Sequence, residues 1–426
     1  MHVGTVVDST GSSGKKVEYN GKEYDYVFDV DIEDGKPPLK LPYNLAENPY
    51  DAATRFLGNN NLPITYLDSV ANFITQNTQG ATIGQSSDAP STDPYGTESR
   101  YKPGQPAQPS KPKYLPHNQF LALTQAKLAP ALARLKTLNT KHIEAGNKHI
   151  AMNPTNVSQL ESLVQALSAQ SPVSGSTLPD LDEYKQIVFN IISQWPYGDR
   201  LPALDILRCL AAWPGVGLLT DHRYGNLINI AFRGALDVRD PIDVDGSSLT
   251  DFAESVDEKK LNANNVMMAL RMVTNLFKTP DGQRLLVGEA NNILIVMGRI
   301  AGIAEGREPI GKDNNNVQIA LTSATFNFAC FAYRARQSAT GKEEINLAAI
   351  HQLCMIVESV LKNQKDSEVL FRALMTLGMI LSIEGGDVRA LAKTLDAQVW
   401  LRPLAQPSQE ARIRDVAEEC LAYLEG

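Results

Sequence analysis

The densest cluster of chemistry-bearing side chains lies in YDYVFDVDIEDGKPPLKLPYN, residues 24 to 44, where five carboxylates fall between Asp25 and Asp34. An EF-hand loop offers calcium oxygens at its first, third and fifth positions, with Gly at the sixth and a bidentate Glu at the twelfth. Counted from Asp29, the first three fit as Asp29, Asp31 and Glu33, but the sixth is Asp34 and the twelfth is Lys40. A cation where a carboxylate is required argues against the metal. The same residues alternate, with Tyr24, Tyr26, Phe28, Val30 and Ile32 on one face of a strand and Asp25, Val27, Asp29, Asp31 and Glu33 on the other. A solvated sheet face is therefore expected, and no metal.

Other reactive constellations are scarce. His142 and His149 stand seven apart around Glu144 in HIEAGNKH, but Gly146 weakens that helix and the pair is expected to face solvent. VDGSS and AEGREPIGK contain glycines without the preceding strand and following helix that a phosphate loop requires. The chain has no nucleophile elbow, zincin helix or Cys-pair metal motif. Cys209, Cys330, Cys354 and Cys420 are far apart among apolar neighbours, as buried free thiols in a reducing compartment would be. Neither an enzyme nor a cofactor is expected.

Arginine and asparagine carry more information. RMVTNLF begins at Arg271, SATFNFA at Ser323 and RALMTLG at Arg372, a period of about 50 residues that suits armadillo or HEAT solenoids with two or three helices per repeat. ALDILRCLAAWP sets Arg208 in a similar context. Arg271 and Asn275 share a helical face, Ser323 and Asn327 hold the corresponding positions one repeat on, and Arg372 and Thr376 the next. Arg and Asn in otherwise apolar helices are costly unless they face water or a partner. Two readings follow. In one, a groove holds an extended peptide, Asn pairing its backbone and Arg its carboxylates. In the other, each Arg pairs with an acidic residue of its own bundle.

The elements that must position these residues can be read off in order. Asn20-Gly21 between alternating runs predicts a type I′ hairpin of Val17–Tyr19 and Lys22–Ile32. PPLKLPYN reads as extended. NPYDAATRFLGNN reads as a helix, with Asn48 as N-cap, Pro49 in its first turn and Gly58 near its stop. A second helix is expected in LPITYLDSVANFITQNT, with a stripe of Leu67, Val70, Ala71 and Ile74. The Gly, Ser and Pro-rich stretch 80–112 reads as a flexible linker. Beyond it every segment is helical in pattern, beginning with 117–140 and including 221–236 and 281–305.

The expected fold class is thus a small α+β domain, a hairpin plus two helices, over 1–79, joined by the linker 80–112 to an all-α armadillo-like solenoid over 113–426. The 426 residues, 43% hydrophobic, leave room for both cores. A net charge of −8 argues against nucleic acid as a partner. No apolar run is long enough for membrane insertion, and the N-terminus does not read as a signal peptide.

YDYVFDVDIEDGKPPLKLPYNLAENPYDAATRFLGNNNLPITYLDSVANFI resembles the PFU domain of the phospholipase A-2-activating protein family, and VMMALRMVTNLFKTPDGQRLL and LFRALMTLGMILS resemble its PUL domain. The resemblance implies a non-catalytic, cytoplasmic and nuclear adaptor in ubiquitin-dependent degradation and ubiquitin recycling. Its PFU domain would bind ubiquitin, with Phe56 and Phe73 at the family's ubiquitin-sensitive aromatic positions. A Phe in an amphipathic helix is also an ordinary core residue. The armadillo-like PUL domain would grip the acidic C-terminal tail of a valosin-containing-protein-type AAA ATPase. Arg271 and Arg372 are the expected anchors, Asn275 and Asn327 would hold the tail's backbone, and Arg208 is a further contact. Family members carry a WD-repeat propeller ahead of the PFU domain, so the chain is expected to be part of a longer protein. The alternative is an armadillo scaffold for a different peptide. An importin-like groove for basic peptides would need acidic and tryptophan ladders where Arg, Asn and Ser stand here.

Overall fold

The structure, a computed structural model, describes residues 17–19, 21–30, 39–44, 49–60, 70, 73–74, 113–124, 126, 128–169, 178, 180–222, 225–237, 261–303, 308–337, 345–383, 387–388, 390–391, 396–407 and 409–425. The chain divides into two units, Met1–Ala107 and Gln108–Gly426.

In the first unit, β1 (Val17–Tyr19) and β2 (Lys22–Tyr24) pair antiparallel, Tyr19 facing Lys22, around Gly21, whose φ of 73° a side chain would resist. The second arm does not run on to Ile32 as one strand. It breaks at Asp25, whose N–H donates to Asn44 Oδ1 at 3.0 Å, and β3 (Tyr26–Val30) turns to pair with β4 (Leu39–Tyr43). The stretch read as merely extended is therefore a strand. In this register Asp29 faces Lys40 across the ladder, 2.6 Å from its Nζ. The cation that breaks the calcium pattern is the cross-strand partner of the carboxylate that would begin it. Asp31 and Glu33 lie outside the described residues.

Phe28, Val30, Leu41 and Tyr43 bury one face of this ladder against α1 (Pro49–Asn59), which presents Ala52, Ala53, Phe56 and Leu57. Pro49 opens α1, where a missing N–H costs nothing, and Arg55 Nη2 ties the helix to Pro42 O at 2.8 Å. Gly58 stands near the stop as expected, one residue before the helix ends at Asn59. Of the second expected helix only Val70, Phe73 and Ile74 are described; Val70 and Ile74 are buried in the same core. Asn48, Leu67, Ala71 and the linker 80–112 lie outside the described residues.

The second unit is helical: α2 (Leu128–Glu144), α3 (Pro154–Ala169), α4 (Leu181–Gln194), α5 (Leu201–Leu210), α6 (Leu227–Ala235), α7 (Ala263–Leu276), α8 (Pro280–Gly288), α9 (Ala290–Ile300), α10 (Asn315–Gln337), α11 (Leu347–Asn363), α12 (Ser367–Leu381), α13 (Ala397–Leu404) and α14 (Ala411–Glu425). Helices α2, α5, α7, α10, α12 and α14 stack side by side in chain order as an inner row, backed by the others. This is the expected solenoid, and Arg271, Ser323 and Arg372 sit on three successive inner helices. Three expectations are corrected. The helix expected over 117–140 starts only at Leu128, and 113–124 carries no helix. The 281–305 segment is two helices parted at Glu289. A short hairpin of β5 (Thr220–Asp221) and β6 (Gly225–Asn226) precedes α6, where helix was expected from 221. No described helix is long and apolar enough to cross a membrane.

Phe56 is 3% exposed, held among Phe28, Leu41 and Ile74. Phe56→Ala should therefore destabilise the first unit by about 3–5 kcal/mol, read by its chemical denaturation midpoint, as a buried aromatic truncation does.

Candidate functional site: an inner face shared by a strap and a row of arginines

Five of the six inner helices turn polar or sulfur-bearing side chains to one face: Arg208 and Cys209 on α5, Arg271 and Asn275 on α7, Ser323, Asn327 and Cys330 on α10, Arg372, Thr376 and Met379 on α12, and Asp415 and Glu419 on α14. Across that face runs the chain's own segment 113–124, here called the strap, and these side chains hold its backbone. Glu419 accepts from the N–H groups of Lys113 at 2.6 Å, Tyr114 at 3.1 Å and Leu115 at 3.0 Å. His117 N–H meets Met379 Sδ at 3.0 Å, and Cys330 Sγ donates to His117 O at 3.4 Å. Leu121 N–H donates to Asn327 Oδ1 at 2.8 Å while Asn327 Nδ2 returns a bond to Leu121 O at 2.9 Å. Asn275 repeats the exchange with Leu123 at 2.6 and 3.2 Å. Cys209 Sγ ends the run at Thr124 O, 3.6 Å away.

Side chains seat the strap as well. Leu115 fills the space over Gly378, where a Cβ would lie 2.1 Å from Leu115 Cδ1. Tyr114 packs edge-on against Phe371, His117 against Phe326, and Phe120 lies between Phe277 and the Arg334 guanidinium. Burial pulls the His117 imidazole below its ordinary pKa.

The two asparagines do more than hold the strap. A helix leaves its last carbonyls without intrahelical partners. Asn275 Nδ2 takes Arg208 O on α5 at 2.7 Å, and Asn327 Nδ2 takes Thr274 O on α7 at 3.0 Å, each carbonyl the third from its helix end. Each amide thus joins its own helix, the preceding inner helix and the strap. Both asparagines are 0% exposed with donors and acceptor engaged, so the expectation that they hold a partner's backbone is corrected. The chemistry expected of them, an amide pairing an extended backbone, is present, but the peptide is the chain's own.

The same bonds reset the arginine register. Since Asn275 meets Arg208 as Asn327 meets Thr274, Arg208 stands where Thr274 stands, and Asp205 takes the place of Arg271. Arg208 is 4% exposed, its Nε on Asp205 Oδ1 at 2.6 Å and its Nη1 on Leu123 O, so it is strap-holding structure and not a free contact. Arg372 Nε bonds Glu368 Oε1 at 2.7 Å and its Nη1 reaches Ser323 Oγ. Burial raises the Glu368 carboxyl, but Arg372 and Arg412 outweigh it and hold the group below its ordinary pKa. Arg271 differs. Half-buried, it makes no hydrogen bond or ion pair among the described residues, and burial and then Arg208 draw its pKa down, with Arg372 also repelling it. A cation in this position attracts an anion.

In the first unit, Phe56 is core and does not present its ring, which corrects the expectation that it touches ubiquitin. Phe73 is half-buried, its ring edge-on to Phe28 at 5.6 Å, and Tyr26 stacks on Phe28 at 5.3 Å. Sequence reasoning put Tyr26 on the right strand face without singling it out. His142, expected in solvent, is buried against Trp195 and faces Asp199 Oδ2 at 3.4 Å. Among the described residues no group of His, Cys, Asp and Glu is arranged to hold a metal. All four cysteines are buried free thiols, and burial pushes Cys209 and Cys330 up to about 11 and Cys354 up to about 12.

A small α+β unit and a helical solenoid carrying a polar inner face define a PFU–PUL pair. The PUL domain family matches residues 115–419, and PFU (PLAA family ubiquitin binding) matches residues 1–82. The chain belongs to the PUL-domain family and, with its PFU domain, to the phospholipase A-2-activating protein family. It is 29% identical to the ubiquitin homeostasis protein lub1 of Schizosaccharomyces pombe over 99% of this chain and 49% of that protein. It is 27% identical to the phospholipase A-2-activating protein of Xenopus laevis over 100% of this chain and 52% of that one. Protein DOA1 of Saccharomyces cerevisiae is 31% identical over 77% of this chain and 38% of its own length. The chain therefore spans about half the length of the curated relatives it matches, or less. A solved PFU–PUL domain pair of Saccharomyces cerevisiae Doa1/Ufd3 matches 95% of this chain at 20% identity with a TM-score of 0.45.

The strap assignment predicts a paired outcome. Asn327→Ala leaves a buried carbonyl and the strap backbone unpaired, so stability should fall by about 2–3 kcal/mol. In the folded variant Cys330, whose thiol is covered by the strap, should react with a maleimide faster than in wild type, while Cys354 should not. Mass spectrometry of labelled peptides checks both.

Proposed function

We propose that the chain is a non-catalytic adaptor with two binding sites, working in ubiquitin-dependent degradation and ubiquitin recycling in the cytoplasm and nucleus. The second unit takes the acidic C-terminal tail of a valosin-containing-protein-type AAA ATPase, and the first unit takes ubiquitin. The observation that carries the tail reading is Arg271, a half-buried cation left without an ion pair on a face where Arg208 and Arg372 are both occupied. A basic peptide would meet repulsion there, which disfavours an importin-like scaffold. A carboxylate on Arg271 would gain a charge-assisted hydrogen bond in a partly desolvated setting, worth about 1.5–3 kcal/mol. The linker between the two matched domains would allow both partners to be held at once, raising their effective concentration.

Arg271→Ala should weaken a synthetic peptide of the ATPase's last ten residues by about tenfold to a hundredfold in calorimetry. Arg271→Lys should recover part of the loss, since it keeps the charge without the planar fork. If Arg271→Ala folds and binds like wild type, the tail reading fails.

The ubiquitin reading rests on the PFU match and on Phe73 and Tyr26, which flank Phe28 with half-buried rings and so offer an apolar counter-surface of the kind small interfaces use. Phe73→Ala should abolish ubiquitin-induced NMR shifts in the first unit while its strand resonances stay dispersed. Undiminished shifts in that folded variant would remove Phe73 from the site.

A further inference from the structure

We infer that Asp205 is a specificity-determining residue of the Arg271 site: it closes one side of the site to negative charge, so the peptide taken there carries its acidic residues opposite Arg271 and towards Arg372, and none opposite Asp205. This rests on the tail reading above and gives the peptide a register. Asp205 on α5, Arg271 on α7, Ser323 on α10 and Arg372 on α12 form one row across the inner face. Hydrogen bonds between the helices fix that row. Asn275 Nδ2 meets Arg208 O at 2.7 Å, and one helical turn back from this joint stand Arg271 on α7 and Asp205 on α5. Arg372 Nη1 reaches Ser323 Oγ further along. Asp205 Oδ1 is 2.6 Å from Arg208 Nε, and no hydrogen bond reaches its other oxygen among the described residues. The Asp205 side chain is 20% exposed, so the carboxylate is fixed beside Arg271 and still meets solvent.

The charge order along the row is negative, positive, neutral, positive. Asp205 attracts Arg271 and Arg372 repels it, so both charges are felt there, although Asp205 gives its hydrogen bond to Arg208. A peptide carboxylate on Arg271 therefore has a neutral hydroxyl and a second guanidinium on one side, and another carboxylate on the other. A further acidic residue on the Ser323 side gains from Arg372. The same residue on the Asp205 side is repelled, in a partly desolvated setting where like charges cost more than in water. Specificity between partners rests on such repulsive elements as well as on attractive ones. Holding Arg208 does not by itself call for a charge, because an amide oxygen at the same position could accept from Arg208 Nε. What the carboxylate adds is negative potential beside Arg271. The partner is therefore a peptide whose acidic run stops at Arg271 and continues only towards Arg372.

The test uses the whole chain and the synthetic tail peptide. Asp205→Asn keeps an oxygen for Arg208 and removes the charge. Peptide affinity should rise about threefold to tenfold, the effect of one charge at a partly exposed site, and the gain should shrink as salt is raised. Asp205→Glu keeps the charge and should bind like wild type. Hydrogen exchange over residues 119–124 should stay as slow as in wild type, which shows that the strap is seated. On the peptide side, an aspartate is placed at each non-acidic position in turn and compared with asparagine at the same position, so that only charge differs. Aspartate should strengthen binding towards one end of the peptide and weaken it towards the other, and the weakening should vanish in Asp205→Asn. The role of Asp205 is overturned if the seated Asp205→Asn variant binds no better than wild type, if its gain is untouched by salt, or if added aspartates act alike towards both ends. Should asparagine unseat the strap, the aspartate scan on the wild-type chain alone decides. Loss of binding in Arg271→Ala with no gain in Asp205→Asn removes only the role of Asp205. Wild-type affinity in Arg271→Ala, or no binding by wild type, removes the tail reading and this inference with it.

Discussion

A backbone amide taken out of water has to find a partner, and in the solenoid two asparagine side chains meet that requirement for several parts of the chain at once. Asn275 and Asn327 each close a two-way exchange with one strap residue and cap an orphaned carbonyl of the preceding inner helix. One planar amide offers two donors and an acceptor with two lone pairs, which is why Asn suits the junction and an apolar residue cannot replace it. The spacing of α5, α7 and α10, and the seating of residues 113–124 on them, both depend on these contacts.

This constraint partitions the inner face. Where the asparagines stand, the polar capacity is consumed within the chain. One helical turn away stand Asp205, Arg271, Ser323 and Arg372, and there the partition is incomplete. Asp205 is bonded by Arg208, and Arg372 is bonded by Glu368 and Ser323. Arg271 has the like charges of Arg208 and Arg372 near it, is only partly offset by the Asp205 carboxylate, and makes no ion pair of its own among the described residues. A structure that pairs its neighbours and leaves one half-buried guanidinium open keeps a local positive potential on a chain whose net charge is −8.

Polar residues inside apolar helices announced that each inner helix meets something polar, and the period of about 50 residues announced that the meetings line up. What they meet was not legible. HNQFLALT runs without a Gly or Pro break into the helix-patterned residues that follow, so residues 117–124 read as the start of a helix reaching 140. In the fold, Phe120 goes to Phe277, Leu121 and Leu123 give their backbones to the ladder, and helix begins at Leu128. Intrinsic helix propensity amounts to a few tenths of a kcal/mol per residue, and side-chain bonds from successive inner helices outweigh it. Arg208 shows the same limit. Its neighbours in sequence resembled those of Arg271, but its register depends on which carbonyl Asn275 reaches, a contact 67 residues away.

The sequence by itself determined the class of each unit, the position of the hairpin turn, the buried face of β3, the burial of the cysteines and the helices that line the inner face. These follow from turn chemistry, from periods of two and 3.6, and from clustered apolar residues, all of which act over a few neighbouring positions. Only the tertiary structure decided that Lys40 answers Asp29, that Phe56 is core while Phe73 is half-buried, that the peptide on the asparagines is the chain's own, and that Arg271 is the arginine without an ion pair among the described residues. Each of these depends on a partner remote in sequence, and burial and pairing are properties of the packed chain, not of any local stretch of it.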